Sequence, residues 1–355
     1  MNKYTISTLG GHSALEIFSG AKRHNFETLV IAQKGREKTY TKYFENLIDD
    51  YILLNHFKEL TDNQTIEKLK DKNSIFIPHR YVQVYTDLKK LEKEFNVPVF
   101  GNKFLLKYEE REGNYNQYQI LNDAEIPFPV SFKNPKDIDR LVLVKVREAQ
   151  RNYERSFFFT SSYKDYQEKS QNLIKLGKIK EKDLENAVIE EFLIGVQVNF
   201  NFFYSPLSSK LELLGTDSRR QTNMDGFLRL PARQQLDIEH IVYPSYVESG
   251  HFAVTVKESL LEQAFELAEK LLKASKKFHP QGIIGPFALQ SAILAGPPRE
   301  KIVVFDISLR IPGSPGSIFT PYSHFLYDRP VSFGERIALE IEKAEKHNLL
   351  TKIIT

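Results

Sequence analysis

The first hundred residues alternate short apolar runs with amphipathic segments. The runs KYTISTLG and ETLVIAQKG have the pattern of strands, and the segment between them has apolar side chains at helical spacing. The apolar positions of this helix are Ala14, Leu15, Ile17, Phe18 and Ala21. Residues 74–100 repeat the order strand, helix, strand. The pattern predicts a parallel, doubly wound α/β domain over residues 1–100, with ligand-accessible loops at the carboxyl ends of its strands.

The remaining chain has an α+β pattern. Residues 101 to 125 are helical in pattern and end at the prolines of EIPFPVSF. The strand-like runs LVLVKV, SFFFTSS and AVIEEFLIG follow, and then a hairpin around PLSS. A long helix begins at Leu260, with Ser259 and Glu262 at capping-box spacing. These breaks predict two further domains, residues 101–194 and 195–355.

One late strand has a polar face. In FDISLRI, the residues Asp306, Ser308 and Arg310 lie two apart and share one side. Gln290 is predicted on the neighbouring strand of a hairpin, and Mg²⁺ takes one or two such oxygen ligands together with phosphates and water. Arg310 would neutralise a phosphoryl group or an acyl phosphate. The alternative is a buried Asp–Arg ion pair that only stabilises the sheet.

Two earlier stretches are consistent with an ATP site. Lys145 is the single cation of LVLVKV, with Lys107 upstream, and phosphate is a common partner for a lysine on an apolar strand. In AVIEEFLIG, a carboxylate of Glu190 or Glu191 and the backbone of Phe192 and Leu193 would bind adenine or ribose. The simpler alternatives are a lysine at a sheet edge and one exposed acidic face.

Composition limits the classes of function. The 355 residues have a net charge of +3 with dispersed lysines and arginines, which argues against nucleic-acid binding even for the basic stretch REAQRNYER. No apolar run is long enough for a membrane span. Cysteine is absent, which excludes disulfides and thiolate chemistry. The N-terminus has no apolar signal segment, so a cytoplasmic location is expected.

Three features follow one another along the chain: a lysine on a strand, Lys145; two adjacent glutamates, Glu190 and Glu191; and Gln290 followed by the Asp-x-Ser-x-Arg stretch that begins at Asp306. This order resembles the ATP-grasp superfamily. Blocks along nearly the whole chain resemble one archaeal family within it, the formate-dependent, folate-independent synthetases of purine biosynthesis. These blocks are STLGGHSALEIFSGAK, IFIPH, GNKFLLK, EEFLIG, NFNFFYSPL, LLGTDSRRQTNMDG, IGPFALQ and FDISLRI. The resemblance implies an ATP-grasp fold with an N-terminal Rossmann-like domain, and a homo-oligomeric ligase. It implies ATP with Mg²⁺ or Mn²⁺, formate and aminoimidazole carboxamide ribotide as the small-molecule ligands.

The resemblance also assigns roles to residues. His12 is implied to contact the ribotide and, with Arg310, to serve catalysis, whereas a helix-cap role is its alternative. The metal ligands are implied to be Gln290 and Asp306, where Asp replaces the glutamate usual in the family. The implied ribotide-binding positions are Gly10, Gly11, His12, Ser13, Arg80, Tyr81 and Asn223. The implied nucleotide-binding positions are Lys107, Lys145, Arg147, Arg151, Arg155, Glu190, Glu191, Phe192 and Leu193.

Two departures from the family leave other functions open. The family has a glycine-rich loop over the ATP phosphates, whereas residues 147–159 here contain no glycine. Arg80 and Tyr81 stand where the family has Gly-Ser. A ligase for a different small carboxylate and a different amine is therefore one alternative, and a nucleotide-binding protein without catalysis is another.

Overall fold

The computed structural model describes residues 4–110, 115–147, 155–221, 223–239, 241–242 and 247–355. The chain divides into two compact units. The larger unit combines Met1–Ile126, Gln197–Ser291 and Asp306–Thr355, and the smaller combines Pro127–Val196 and Ala292–Phe305. The three sequence ranges expected as domains stay a prediction.

The regular elements follow the predicted order for most of the chain. The strands are β1 Thr5–Leu9, β2 Glu27–Gln33, β3 Asp50–Leu54, β4 Ser74–Phe76, β5 Ser131–Phe132, β6 Val142–Arg147, β7 Arg155–Thr160, β8 Val188–Glu191, β9 Val196–Ser205, β10 Lys210–Gln221, β11 Glu248–Ala253, β12 Gly285–Leu294 and β13 Lys301–Ser308. The α-helices are α1 Ala14–Arg23, α2 Asn63–Asp71, α3 Arg80–Tyr85, α4 Leu88–Lys93, α5 Gln117–Asp123, α6 Tyr163–Lys175, α7 Met224–Phe227, α8 Ala232–Ile238, α9 Glu258–Phe278, α10 Tyr322–Tyr327 and α11 Phe333–Lys346. No α-helix of the described residues is long and apolar enough to cross a bilayer.

The N-terminal part of the larger unit is the predicted parallel sheet. Its strand order is β3-β2-β1-β4, and β1 pairs in parallel with both β2 and β4. The apolar stripe of α1 is buried, with Ile17 and Phe18 at most 1% exposed. The parallel α/β prediction for this part of the chain is therefore confirmed.

Two local predictions in this region are wrong. The helix after IFIPH is broken, because Thr86 is extended and the Asp87 carboxylate accepts from Lys89 N at 2.8 Å, which starts a new helix. The run VPVF forms no regular strand, since it makes only isolated bridges, from Val99 to Phe76 and from Phe100 to Ile354. The neighbouring sheet strand β4 ends at Phe76, so the partner for a longer strand is missing.

A five-stranded sheet, most of which lies in the larger unit, carries many of the polar residues discussed below. Its order is β11-β10-β9-β12-β13, and β9 with β10 forms the predicted hairpin. The helix α9 begins at Glu258 and no side chain caps it, so the predicted capping box at Ser259 is wrong. Ser259 already has a helical position and cannot act as the N-cap.

The smaller unit is a four-stranded sheet with one long helix. Its order is β5-β8-β6-β7, and the pairs of β6 with β7 and β8 are antiparallel. One face is apolar, with Val142, Val144, Phe158 and Ile189 buried together with Tyr166 of α6. Lys145 and Glu190 therefore lie on adjacent strands of one small sheet.

Helices α1 and α11 pack backbone against backbone. A Cβ atom at Gly20 would lie 2.1 Å from Glu335 N, and one at Gly334 would lie 2.0 Å from Glu16 O. Glu16 is buried here and accepts from Phe333 N at 3.0 Å, at the start of α11. Burial raises the pKa of Glu16 to about 7. Only glycine allows this approach of the two helices.

Replacing Gly20 by alanine should destabilise the protein. Alanine has a higher helix propensity than glycine, which adds about 1 kcal/mol to the free energy of unfolding. The methyl group has no room, however, and this overpacking costs about 1–3 kcal/mol or more, so the free energy of unfolding should fall. Urea unfolding measures the difference. Gly226→Ala is the matched control, because a Cβ atom at Gly226 meets nothing within 4 Å. Equal stability of Gly20→Ala and the wild type would contradict the contact.

Candidate functional site

A cleft of about 220 Å³ opens in the larger unit. The walls come from the loops after β1 and β4, from the faces of β9 to β12, and from the segment that follows β13. The polar lining consists of His12, Arg80, Asn199, Asn201, Asp217, Arg219, Glu248, His251, Gln290, Ser308, Arg310 and Ser314. The cleft thus joins residues from the beginning, the middle and the end of the chain.

His12 lies in this cleft as a neutral imidazole. Its Nδ1 is 2.8 Å from Ser13 Oγ, and that hydroxyl donates its hydrogen to Pro312 O at 2.9 Å. Nδ1 must therefore carry the proton, which leaves Nε2 with a lone pair. Burial, together with the charge of Arg310, lowers the pKa of His12 to about 2. His12 can accept a hydrogen bond at Nε2.

The surrounding loop fixes the His12 ring in place. His12 has a positive φ of 48°, and its ring stacks on His79 at 5.7 Å. A Cβ atom at Gly313 would lie 2.3 Å from His12 Cε1, so only glycine fits there. His79 Nε2 donates to Leu9 O at 2.8 Å, and burial lowers the pKa of His79 to about 4. His79 is therefore neutral, and its ring supports the ring of His12.

A buried ionic network forms one wall of the cleft. Asp217 accepts from Asn199 at 2.7 Å, from Asn201 at 2.6 Å and from His251 Nδ1, and the other ring nitrogen of His251 donates to Glu248 at 2.8 Å. Burial alone would lower the pKa of His251, but its hydrogen bonds to Asp217 and Glu248 outweigh burial and raise it to about 9. His251 is therefore a fixed cation at neutral pH.

The His251 network predicts a pH-dependent contribution to stability. The folded pKa is above the unfolded value of 6.5, so the stabilisation is complete below pH 6.5 and is lost as pH rises through 9. Compared with His251→Gln, the wild type should be more stable by about 2 kcal/mol at pH 6, with a smaller difference at pH 10. Urea unfolding at both pH values measures it. A difference that grows with pH would contradict the charged state.

Arg310 is held by a buried carboxylate. Its Nε lies 3.4 Å from Glu109 Oε2, and Nη1 donates to Ile311 O at 3.1 Å. Burial raises the pKa of Glu109 and lowers that of Arg310, and each charge opposes the shift of the other. The partner of Arg310 is therefore Glu109, which the sequence did not identify. The guanidinium is fixed beside Ser308 and the rest of the polar face.

Gln290 is positioned by two neighbours. Its Nε2 donates to Ser308 Oγ at 3.2 Å, and its Oε1 accepts from the guanidinium of Arg219. Arg219 also lies 3.2 Å from Glu248, which links Gln290 to the His251 network. The oxygen expected to bind a metal thus faces a cation of the protein itself.

Comparisons with known proteins cover the full chain. Two family models match, "Protein of unknown function (DUF1246)" over residues 6–132 and "Domain of unknown function (DUF1297)" over residues 165–355. A curated relative from Methanobrevibacter smithii is 39% identical over 99% of this chain and 94% of its own length, and its name is 5-formaminoimidazole-4-carboxamide-1-(beta)-D-ribofuranosyl 5'-monophosphate synthetase. A relative of the same name from Methanocaldococcus jannaschii is 38% identical over 100% of this chain and 96% of its own length. This chain belongs to that synthetase family.

Solved structures agree with the assignment. The crystal structure of an IMP biosynthesis protein PurP from Thermococcus kodakaraensis has a TM-score of 0.74 and 26% identity, and covers 99% of this chain and 100% of its own. An Aspergillus clavatus N5-carboxyaminoimidazole synthase in complex with ADP and 5-aminoimidazole ribonucleotide has a TM-score of 0.59 at 14% identity, with 93% and 78% covered. The second likeness concerns the fold alone. The fold is ATP-grasp, as expected from the sequence.

The two predicted metal positions, Gln290 and Asp306, are only partly suited to a cation. Asp306 has a carboxylate, of which Oδ1 accepts from Ile307 N at 3.1 Å. Gln290 fits a metal only if Arg219 moves from its oxygen. Among the described residues no group of three or more His, Cys, Asp or Glu side chains can hold a metal ion. Phosphates and water would therefore supply most of the ligands of a bound Mg²⁺.

The positions predicted to bind the nucleotide fall mainly in the smaller unit. Lys145 and Glu190 form a buried ion pair there, at 8% and 5% exposure. Glu191 Oε2 accepts from Val130 N at 3.2 Å, and the Phe192 ring packs on Phe159. Leu193 follows at the end of β8, partly exposed. Lys145 lies on β6, which is an inner strand of the sheet, so the alternative of a lysine at a sheet edge does not describe it. Glu190 is buried, so the alternative of an exposed acidic face does not describe Glu190.

Other predicted positions lie apart from the cleft or outside the described part. In the larger unit, Lys107 pairs with Glu92 at 3.2 Å and lies over the Tyr115 ring. Asn223 is exposed and has a positive φ of 30°. Arg151 lies outside the described residues, as do the side chains of Arg147 and Arg155 at the ends of β6 and β7.

The structure brings four sequence-predicted positions together and adds others. His12, Arg80, Gln290 and Arg310 all line the cleft. The sequence reasoning missed Asn199, Asn201, Asp217, Arg219, Glu248 and His251. A signal existed, because polar residues alternate in VQVNFNFFYS and GTDSR on otherwise apolar strands, as they do in FDISLRI.

Proposed function

We propose that this protein formylates aminoimidazole carboxamide ribotide with formate and ATP, in purine biosynthesis. ATP phosphorylates formate, and the amine of the ribotide attacks the formyl carbon and displaces phosphate, so the products are the formamide, ADP and phosphate. The observation that carries the proposal is the full-length relationship to proteins named for this synthetase. The cleft supports it, since its lining has the cations Arg80, Arg219, Arg310 and His251 against the carboxylates Asp217 and Glu248.

Two residues of the cleft, and two predicted positions outside its lining, fit separate tasks in this reaction. His12 Nε2 accepts a hydrogen bond from the attacking amine and orients its lone pair toward the formyl carbon. Arg310 neutralises charge on the acyl phosphate, and Glu109 holds its guanidinium in place for this task. Lys145 binds the ATP phosphates after release from Glu190. Mg²⁺ held near Asp306 would offset the negative charge of the triphosphate.

An ADP-release assay tests the proposed reaction. The full chain with Mg²⁺ and ATP should release ADP only when formate and the ribotide are both present, and the product should gain the mass of a formyl group. Omission of either substrate is the control. No ADP above background with both substrates would refute the assignment. Assembly as a homo-oligomer and a cytoplasmic location stay predictions.

A second candidate is a ligase for another small carboxylate and another amine. The observation that favours it is the large side chain of Arg80 in the cleft lining, together with the Tyr81 ring, which would lie 2.0 Å from a Cβ atom at Gly11. A screen of acids and amines for ADP release distinguishes this candidate from the first. A non-catalytic nucleotide-binding protein would instead bind ATP without turnover in the same screen.

A further inference from the structure

Arg80 is a cation of the cleft without a carboxylate partner in the part of the chain that the structure describes. Its hydrogen bond to Gln83 Oε1 is long, at 3.4 Å. The two other arginines of the cleft are paired, Arg219 with Glu248 at 3.2 Å and Arg310 with Glu109 at 3.4 Å. An unpaired guanidinium beside other guanidiniums is unfavourable unless an anion joins them.

Among the described residues, two uncharged side chains of the same cleft also have a buried polar atom without a hydrogen-bond partner. These atoms are Ser314 Oγ and Asn201 Oδ1, and both residues are only 1% exposed. Buried polar groups are normally paired, so an unpaired one that lines a cleft indicates a ligand contact. The Ser314 hydroxyl can donate a hydrogen bond to an anionic oxygen.

The glycine loop before α1 has little room for that anion. Gly10 N donates to Ile31 O at 2.7 Å, so this amide is used within the sheet. The Tyr81 ring covers Gly11, since a Cβ atom there would lie 2.0 Å from Tyr81 Cε2. Tyr81 is itself packed on Phe57 and Tyr85, with ring centroids at 5.7 Å and 4.9 Å. The Tyr81 ring therefore restricts the approach of an anion to Gly11, and the side-chain donors Arg80 and Ser314 are the candidates for binding it.

We propose that Arg80, with the Ser314 hydroxyl, binds a phosphate monoester of the acceptor substrate and determines specificity for a phosphorylated acceptor. The inference rests on the proposed function, because it names how that site selects its amine substrate. A phosphate dianion bound to Arg80 would offset the repulsion of Arg80 by Arg310, and a guanidinium binds phosphate through two parallel N–H donors. The phosphoryl group that ATP donates has the same chemistry, and the experiment separates these two sources.

Calorimetry with ribose 5-phosphate tests binding without turnover. The wild-type chain, free of ATP and formate, should bind this probe, and Arg80→Gln should weaken binding by roughly 10- to 100-fold. Ser314→Ala should weaken binding by about 3- to 10-fold. Arg233→Gln is the matched control, because Arg233 is exposed on α8 and does not line the cleft, and the affinity of this variant should equal that of the wild type.

Steady-state kinetics then distinguish the two sources of phosphate. If Arg80 binds the acceptor, Arg80→Gln should raise KM for the ribotide by roughly 10- to 100-fold and leave KM for ATP and formate unchanged. The dephosphorylated nucleoside should react equally poorly with the variant and the wild type. Arg80→Lys should recover part of the loss, since it retains the charge but only one donor position.

Three results would overturn the proposal. They are absence of ribose 5-phosphate binding to the wild type, equal binding by Arg80→Gln, and an Arg80→Gln effect confined to KM for ATP or formate. Failure of the proposed function is distinguishable from these. Arg80-dependent binding of ribose 5-phosphate by a chain that releases no ADP with formate and ribotide would reject the reaction and retain the phosphate site.

Discussion

Replacing Arg310 by methionine should lower kcat/KM for ADP release by about 10²- to 10³-fold, the usual cost of losing a fixed charge at a developing anion. Arg310 is 8% exposed, and Glu109 and Ile311 O hold its guanidinium in one position. Methionine retains much of the side-chain volume but removes the charge. The measurement is steady-state kinetics with formate and the ribotide varied in turn.

The single Arg310→Met variant also leaves Glu109 buried without its cation, so stability must be controlled. The double variant Glu109→Gln with Arg310→Met removes both charges and retains an acceptor for Leu309 N. It should unfold at nearly the wild-type urea concentration and still have the low kcat/KM. A folded double variant with wild-type activity would show that Arg310 only stabilises the sheet.

Replacing Arg336 by methionine should cost about 3–5 kcal/mol of unfolding free energy, because it leaves two buried carboxylates without a cation. Arg336 Nε lies 2.7 Å from Glu212 Oε2, and Nη1 lies 2.8 Å from Glu340 Oε2. Tyr327 and Ser205 donate to the same two carboxylates at 2.7 Å and 2.6 Å. Urea unfolding followed by circular dichroism measures the loss.

The control for Arg336 is an arginine on the surface. Arg140 pairs with Asp139 at 2.8 Å and is 45% exposed, so Arg140→Met should change stability by less than about 1 kcal/mol. Adding Glu212→Gln and Glu340→Gln to Arg336→Met should recover a large part of the loss, since no buried charge then remains unpaired. A loss below about 1 kcal/mol for Arg336→Met alone would mean that the buried network does not stabilise the fold.

Sequence patterns predicted the fold where one physical rule acts alone. The strands β1 and β2 and the stripe of α1 follow hydrophobic periodicity, and so does the hairpin of β9 and β10. The break between α3 and α4 was missed because the Asp87 cap competes with a continuous helical pattern. The predicted cap at Ser259 is wrong because α9 begins one residue earlier, at Glu258.

The site was predictable at single positions but not as a network. Polar residues on an apolar strand identified Gln290 and Arg310, and the same rule applies to Asn199 and Asp217, which pair directly across the hairpin. The partner of each charge was not predictable, since Arg310 pairs with Glu109, which ends the 3₁₀-helix Lys103–Glu109 far away in the sequence. Such pairings depend on tertiary packing, and the spacing of residues along one strand gives no information about which distant residues pack against it.

The close approach of Gly20 to Gly334 has a consequence for biosynthesis. The core around Phe18 includes Phe333 and Ile337, so the N-terminal sheet cannot bury that face until the segment 333–346 has left the ribosome. During translation the apolar side of α1 stays exposed, and its final partner arrives late. Contacts so distant in sequence slow folding, and a nascent chain of this kind depends on protection from aggregation until synthesis reaches that last helix.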